Sequence, residues 1–201
     1  MSARQVAIVD SGGANIASLL YALERLQAEA ELTTDPAVIQ SAARVILPGV
    51  GAARDSMVRL EDQGLVEVIR GLKQPVLGIC LGMQLLCDAS EEEDIECLGI
   101  VPGVAARLPA TTAHPVPNMG WCCVRQHRDH PILAGFEEDP YFYFVHSYAL
   151  PVSKQTIATA DHAEPFAAVI ARGNFVATQF HPERSSAAGA RVLSNFLGSD
   201  A

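Results

Sequence analysis

The chain has 201 residues, 49% of them apolar and 18% charged, with a formal net charge of −9. At this length about 70% of the extended surface can be buried, so residues 1–201 read as a single domain whose core needs neither metal nor disulfide. The negative balance argues against nucleic acid or an anionic membrane as partner, and no run of roughly 20 apolar residues is present to span a bilayer.

The chain goes straight into a short strand at Gln5 to Val9, without the basic region and long apolar stretch of a signal peptide. The five cysteines (Cys80, Cys87, Cys97, Cys122 and Cys123) are an odd number, with no C-x-x-C pair and no histidine cluster at metal-ligand spacing. That usage points to reduced thiols in a cytoplasmic protein, with no metal site. Behind Asn15, a residue suited to an N-cap, Ile16, Leu19, Leu20, Leu23 and Leu26 recur at helical spacing and mark a core face.

Next comes the strand-like Arg44-Val45-Ile46, followed by Leu47-Pro48-Gly49-Val50-Gly51-Ala52. Taken alone this is an ordinary turn signal. Beside a nucleophile it gains a second reading, because glycines let backbone N–H groups turn toward the negative charge that builds on a carbonyl oxygen in acyl transfer.

A nucleophile stands in the next segment. Pro75-Val76-Leu77 leads into Gly78-Ile79-Cys80-Leu81-Gly82-Met83-Gln84, a cysteine between two glycines at a strand-to-helix turn. Such an elbow needs neighbours without Cβ two residues before and after the nucleophile, where the chain folds back on itself. The N–H groups at the start of the following helix favour thiolate over thiol. The oxyanion donors would be the N–H of Val50 or Gly51 together with that of Leu81.

The acidic run Glu91-Glu92-Glu93-Asp94 reads as a solvated loop without chemistry. From Gly99 to Ala160 the pattern turns strand-rich with many prolines, which suggests an added antiparallel layer; Cys122-Cys123 within it reads as a strand pair with one side chain on each face. Phe175 to Phe180 returns to the parallel sheet and ends at His181-Pro182-Glu183-Arg184-Ser185. A thiolate needs a base, and the base needs a third group to fix its tautomer. His181 and Glu183 suit these roles, two residues apart on one side of an extended segment stiffened by Pro182. Ala187 to Leu197 closes the chain as a helix. The alternation of β-branched runs and helical patterns in the first half makes the fold class α/β, a mostly parallel sheet flanked by helices.

With these residues in place, the chain resembles the class I (triad) glutamine amidotransferases from Val6 to Phe196. Within them it is similar to the glutaminase subunits of imidazole glycerol phosphate synthases, from histidine biosynthesis. The segments that separate this group from its cousins are Asp10-Ser11-Gly12 with Asn15, Pro48-Gly49-Val50-Gly51, Met119-Gly120-Trp121, Tyr141 to Tyr148, and His181 to Ser185. Many members have Tyr at Ser11, Gly at Ala14, His at Asn118 and Asn at Cys122; none of these departures touches the triad.

The resemblance implies a glutaminase that needs no cofactor, with Gly49, Gln84 and the Ser147-Tyr148 backbone holding glutamine, and with a Gly49-Val50 peptide that reorients before its N–H serves the oxyanion. It also implies a heterodimer with a cyclase subunit, a (β/α)8 barrel that receives the ammonia through an internal channel, and it places Asn15, Met119, Trp121 and Tyr143 near that partner. Two alternatives stay open: a glutaminase for another synthase, of the anthranilate or aminodeoxychorismate type, and a non-enzymatic module with a decayed triad. Met119-Gly120-Trp121 with the Tyr141 to Tyr148 stretch speaks against the first, and the intact Cys80, His181 and Glu183 speak against the second.

Overall fold

A computed structural model describes residues 5–12 and 16–198. Strand and helix alternate through β1 (Gln5–Val9), α1 (Ile16–Arg25), β2 (Glu29–Thr33), α2 (Pro36–Ser41), β3 (Arg44–Leu47), α3 (Ala53–Asp62) and α4 (Val66–Arg70). β4 (Val76–Ile79) then passes through Cys80 into α5 (Leu81–Leu85). The strand-rich half follows, with β5 (Cys87–Ser90), β6 (Ile95–Glu96), β7 (Val101–Arg107), β8 (Asn118–Cys123) and β9 (Arg125–Gln126). It continues with β10 (Tyr141–His146), β11 (Tyr148–Ala149), β12 (Thr156–His162), β13 (Glu164–Arg172) and β14 (Phe175–Thr178), and α6 (Ser186–Gly198) closes it. The Asn15 N-cap lies outside the described residues.

The main sheet has the order β2-β1-β3-β4-β14-β13-β12-β9. Strands β2 to β14 in that order pair in parallel, and β13, β12 and β9 continue antiparallel. β3 and β4 are buried at every position, as strands covered on both faces must be, which is why Val45-Ile46-Leu47 and Val76-Leu77 read as apolar runs; Arg44, which opens β3, is buried with its Nε donating to the Phe196 carbonyl at 2.8 Å. Successive residues feed opposite cores: Ile8, Ile46 and Leu77 pack with Leu19 and Leu23 of α1 and Phe196 of α6, while Val9, Val45 and Val76 pack with Ile39 of α2 and Leu60 of α3. Within this frame Asp35 caps α2, its carboxylate accepting from the Ala37 N–H at 2.8 Å with Pro36 in the first turn.

The expected antiparallel layer divides. β13 and β12 extend the main sheet, because the tight links at Ala163 and at Gly173-Asn174 hold them beside β14 as hairpin partners. The short β9 joins them beside β12, while β10 and β8 form an antiparallel pair and β11-β7-β5-β6 form a four-stranded sheet in which β5 and β7 run parallel.

This topology fixes the place of the site. Register sets Leu47 beside Gly78 and Thr178 beside Ile79, so the C-terminal ends of β3, β4 and β14 lie level at one edge. The 48–52 segment, Cys80 and His181 leave the sheet there, at the strand ends where open α/β sheets carry their ligands. No helix among the described residues is long and apolar enough to cross a membrane.

Candidate active site

Cys80 has φ 53° and ψ −107°, a conformation that L residues rarely adopt and that here aims its side chain off the tip of β4. The two flanking glycines are a steric requirement. A Cβ on Gly82 would overlap the Leu47 carbonyl, and one on Gly78 would lie 3.0 Å from the Gly82 carbonyl oxygen and the Ala177 methyl. The backbone is anchored by the Cys80 N–H, which donates to the Thr178 carbonyl at 2.8 Å. α5 is only five residues long, so what it offers beside Cys80 is its first N–H groups, that of Leu81 foremost, rather than a long-range dipole.

His181 is 3% exposed and its Nδ1 lies 2.9 Å from Glu183 Oε1, so Nδ1 carries the proton and Nε2 is turned to the nucleophile. The two residues do not lie on one extended segment as the sequence suggests. Pro182–Arg184 forms a 3₁₀ turn, closed by the Ser185 N–H on the Pro182 carbonyl and by Ser185 Oγ on the His181 carbonyl at 2.7 Å, and this turn brings the carboxylate back to the ring.

Burial opposes a charged His181, but the Cys80 sulfur and the Glu183 carboxylate outweigh it and push the imidazole up to about 10. Nε2 makes no hydrogen bond to any other described residue, which leaves it for the Cys80 sulfur. His181 is thus a charged proton donor at neutral pH, set against the nucleophile.

A cleft of about 280 Å³ opens over Cys80, and Val50, Gly51, Leu81, Gln84, Ser147 and Tyr148 all line it. Gly49 lines instead a small cavity of about 20 Å³ behind His181 and Glu183, with room for about one water. Met119 and Trp121 stand outside the cleft on β8, 65% and 51% exposed. Tyr143, opposite Trp121 across the β10-β8 pair, meets it edge to face at 6.2 Å and lies under the Arg184 guanidinium at 5.3 Å. These residues form an exposed aromatic rim that β10 connects directly to the cleft through Val145 and His146. Asn15 lies outside the described residues.

The structure adds residues that the sequence leaves unremarked. Glu92, in the acidic run expected to be inert, lines the cleft and accepts from the Ala53 N–H at 3.0 Å, which ties the 91–94 turn to the start of α3 just after the glycine-rich segment. Gln179 is fully buried beside Cys80, and His146 is 6% exposed in the cleft wall with Asn118 bonded to its ring. Burial, opposed by its bond to the Tyr148 carbonyl, pushes His146 down to about 4, so it is neutral. A polar residue in an apolar strand run, Gln179, is the one signal of this group visible in the sequence.

Residues 7–199 match the family model described as glutamine amidotransferase class-I. The chain is 52% identical over 192 residues to the imidazole glycerol phosphate synthase subunit HisH of Xanthomonas axonopodis pv. citri, covering 96% of each. It is 49% identical to the HisH subunit of Xylella fastidiosa, covering 98% of each, and 47% identical to that of Vibrio cholerae, covering 96% of this chain and 98% of the relative. Among solved structures, a glutamine amidotransferase superposes with a TM-score of 0.74 at 17% identity, covering 96% of each chain. PurLQS from Thermotoga maritima gives 0.69 at 18% identity, covering 96% of this chain and 97% of that one. At these identities the structural likeness speaks for the fold.

Proposed function

This chain belongs to the class I glutamine amidotransferase family, and from that premise we propose that it is the glutaminase subunit of an imidazole glycerol phosphate synthase, working as one domain. The carrying observation is the His181–Glu183 pair set against a cysteine on a strained elbow, with a cleft of about 280 Å³ open above the sulfur. Cys80, His181 and Glu183 are the catalytic residues of this reading.

Glutamine enters with its carboxamide over Cys80. Glu92 supplies the negative charge that an α-ammonium group requires, while Gln84 and the Ser147-Tyr148 backbone hold the rest of the substrate. The thiolate attacks the carboxamide carbon, and the oxyanion forms at the N–H of Leu81 and that of Val50 or Gly51. His181 gives its Nε2 proton to the departing nitrogen, so ammonia leaves and a thioester remains. Water then gives a proton to His181 and its oxygen to the acyl carbon; the C–S bond breaks and glutamate is released with the thiolate restored. Glu183 keeps the imidazole in one tautomer throughout. None of these steps calls on a cofactor.

The released ammonia needs a consumer. The reading assigns that role to a cyclase subunit with a (β/α)8 barrel, docked on the Met119, Trp121 and Tyr143 rim beside the cleft, in a cytoplasmic heterodimer. Replacing Cys80 by Ala tests the division of labour in the complex: glutamine-dependent synthesis should vanish while synthesis from added ammonium persists. Loss of both activities in a complex that still assembles would contradict it.

A further inference from the structure

One backbone carbonyl sets the direction of a chain of hydrogen bonds that ends on the nucleophile. The Tyr148 oxygen can only accept, and it accepts from Gln84 Nε2 at 2.9 Å and from His146 Nδ1 at 2.9 Å. Gln84 must therefore present its NH₂ group on that side, and the same nitrogen lies 3.1 Å from Gln179 Oε1. Gln179 then has to turn its own NH₂ the other way, where it lies 3.7 Å from Cys80 Sγ. On the other branch His146, with its proton on Nδ1, offers a bare Nε2 to the Asn118 amide at 3.1 Å, which leaves Asn118 Oδ1 to accept the Cys122 thiol at 3.6 Å. Gln179 has no freedom to flip, since it is fully buried and an inverted amide would set two NH₂ groups face to face.

We propose that Gln179 is a further catalytic residue, whose carboxamide N–H donates to the Cys80 sulfur and stabilises the thiolate, with Gln84 and the Tyr148 carbonyl as the groups that position it. As a thiol, Cys80 can donate to the Val145 carbonyl at 3.8 Å. When its proton moves to His181 Nε2 that bond is lost, and the sulfur becomes an acceptor that needs donors. Gln179 and the His181 imidazolium are on hand. A hydrogen bond to an ionised acceptor is roughly twice as strong as one to a neutral acceptor, so this contact strengthens on ionisation and weakens in the neutral thioester. Gln179 thus favours the thiolate both as attacking nucleophile and as leaving group on deacylation.

The inference rests on Cys80 being the nucleophile, and the experiment separates the two. The rate of Cys80 alkylation by iodoacetamide is followed from pH 4 to 10 by peptide mass spectrometry, in the unaltered chain and in Gln179→Met, a replacement of similar length that cannot donate. The other titratable groups lining the cleft, His181, His146, Glu92 and Tyr148, are the same in both. The expected result is a midpoint about one pH unit higher in Gln179→Met, which is about tenfold less thiolate below the midpoint. Gln84→Met should give a smaller shift in the same direction, because it frees the amide to flip. An unaltered chain whose Cys80 alkylates like an ordinary thiol would remove the nucleophile reading itself. A low midpoint that stays put in Gln179→Met would overturn the Gln179 role alone. Should Gln179→Met not fold, the unaltered protein decides: the Gln179 side-chain amide protons should shift in NMR spectra with the same midpoint as alkylation, and pH-independent resonances would overturn the proposal.

Discussion

The His146 site gives a sharp test of the buried polar network, through the pH dependence of stability. His146 is pushed down to about 4 in the folded chain by burial, against about 6.5 when unfolded. Between these values the unfolded chain binds a proton that the folded one refuses, so stability falls as pH drops through this window. At pH 5 the unfolded imidazole is almost wholly charged and the folded one is not, a difference of roughly 1.5 pH units, or about 2 kcal/mol relative to pH 7. For a chain of this size that corresponds to a fall of about 4–8 °C in Tm. His146→Gln should keep much of the packing and can still donate to Tyr148 O or accept from Asn118, but it carries no titration. Urea unfolding at pH 7 and pH 5 should therefore show the unaltered chain losing about 2 kcal/mol more than the variant. Parallel losses would mean that His146 takes up a proton while folded, and the directed network through Asn118 and Tyr148 would be wrong.

Three further outcomes are expected. A chloroketone analogue of glutamine should label Cys80 and spare Cys87, Cys97 and Cys122, whose thiols burial pushes up, Cys97 to about 11; peptide mapping that finds label on any of these would count against thiolate character being concentrated at the elbow. Glutaminase activity of the complex should persist to alkaline pH and fall as His181 loses its proton near pH 10, with Glu183→Gln bringing that fall to lower pH and lowering kcat less than His181→Ala does; a larger loss in Glu183→Gln would reverse the assigned roles. Finally, if the Gly49-Val50 peptide turns to complete the oxyanion site, glutamate release should rise by about 10²–10³ when the cyclase subunit and its nucleotide substrate are both present, the worth of one oxyanion donor, and equal rates with and without them would remove the gate.

The elements of the site that the sequence discloses are those whose cause is local. Gly78 and Gly82 are legible around Cys80 because the elbow's steric demand falls on residues two positions away, and the structure places the Leu47 carbonyl where a Cβ on Gly82 would be. His181 and Glu183 are legible because the base and its orienting group are separated by one proline, even though a 3₁₀ turn rather than an extended segment joins them. Val45-Ile46-Leu47 of β3 and Val76-Leu77 of β4 show as apolar runs because both faces are covered. Other features depend on segments far apart in the chain. The edge on which β12 and β13 dock, the turn that brings Glu92 into the cleft, and the direction in which the Gln84, Gln179 and Asn118 amides point were decided by tertiary structure alone. An amide has no preferred end in a sequence; it acquires one only when a group that can only accept, here the Tyr148 carbonyl 64 residues from Gln84, is folded against it.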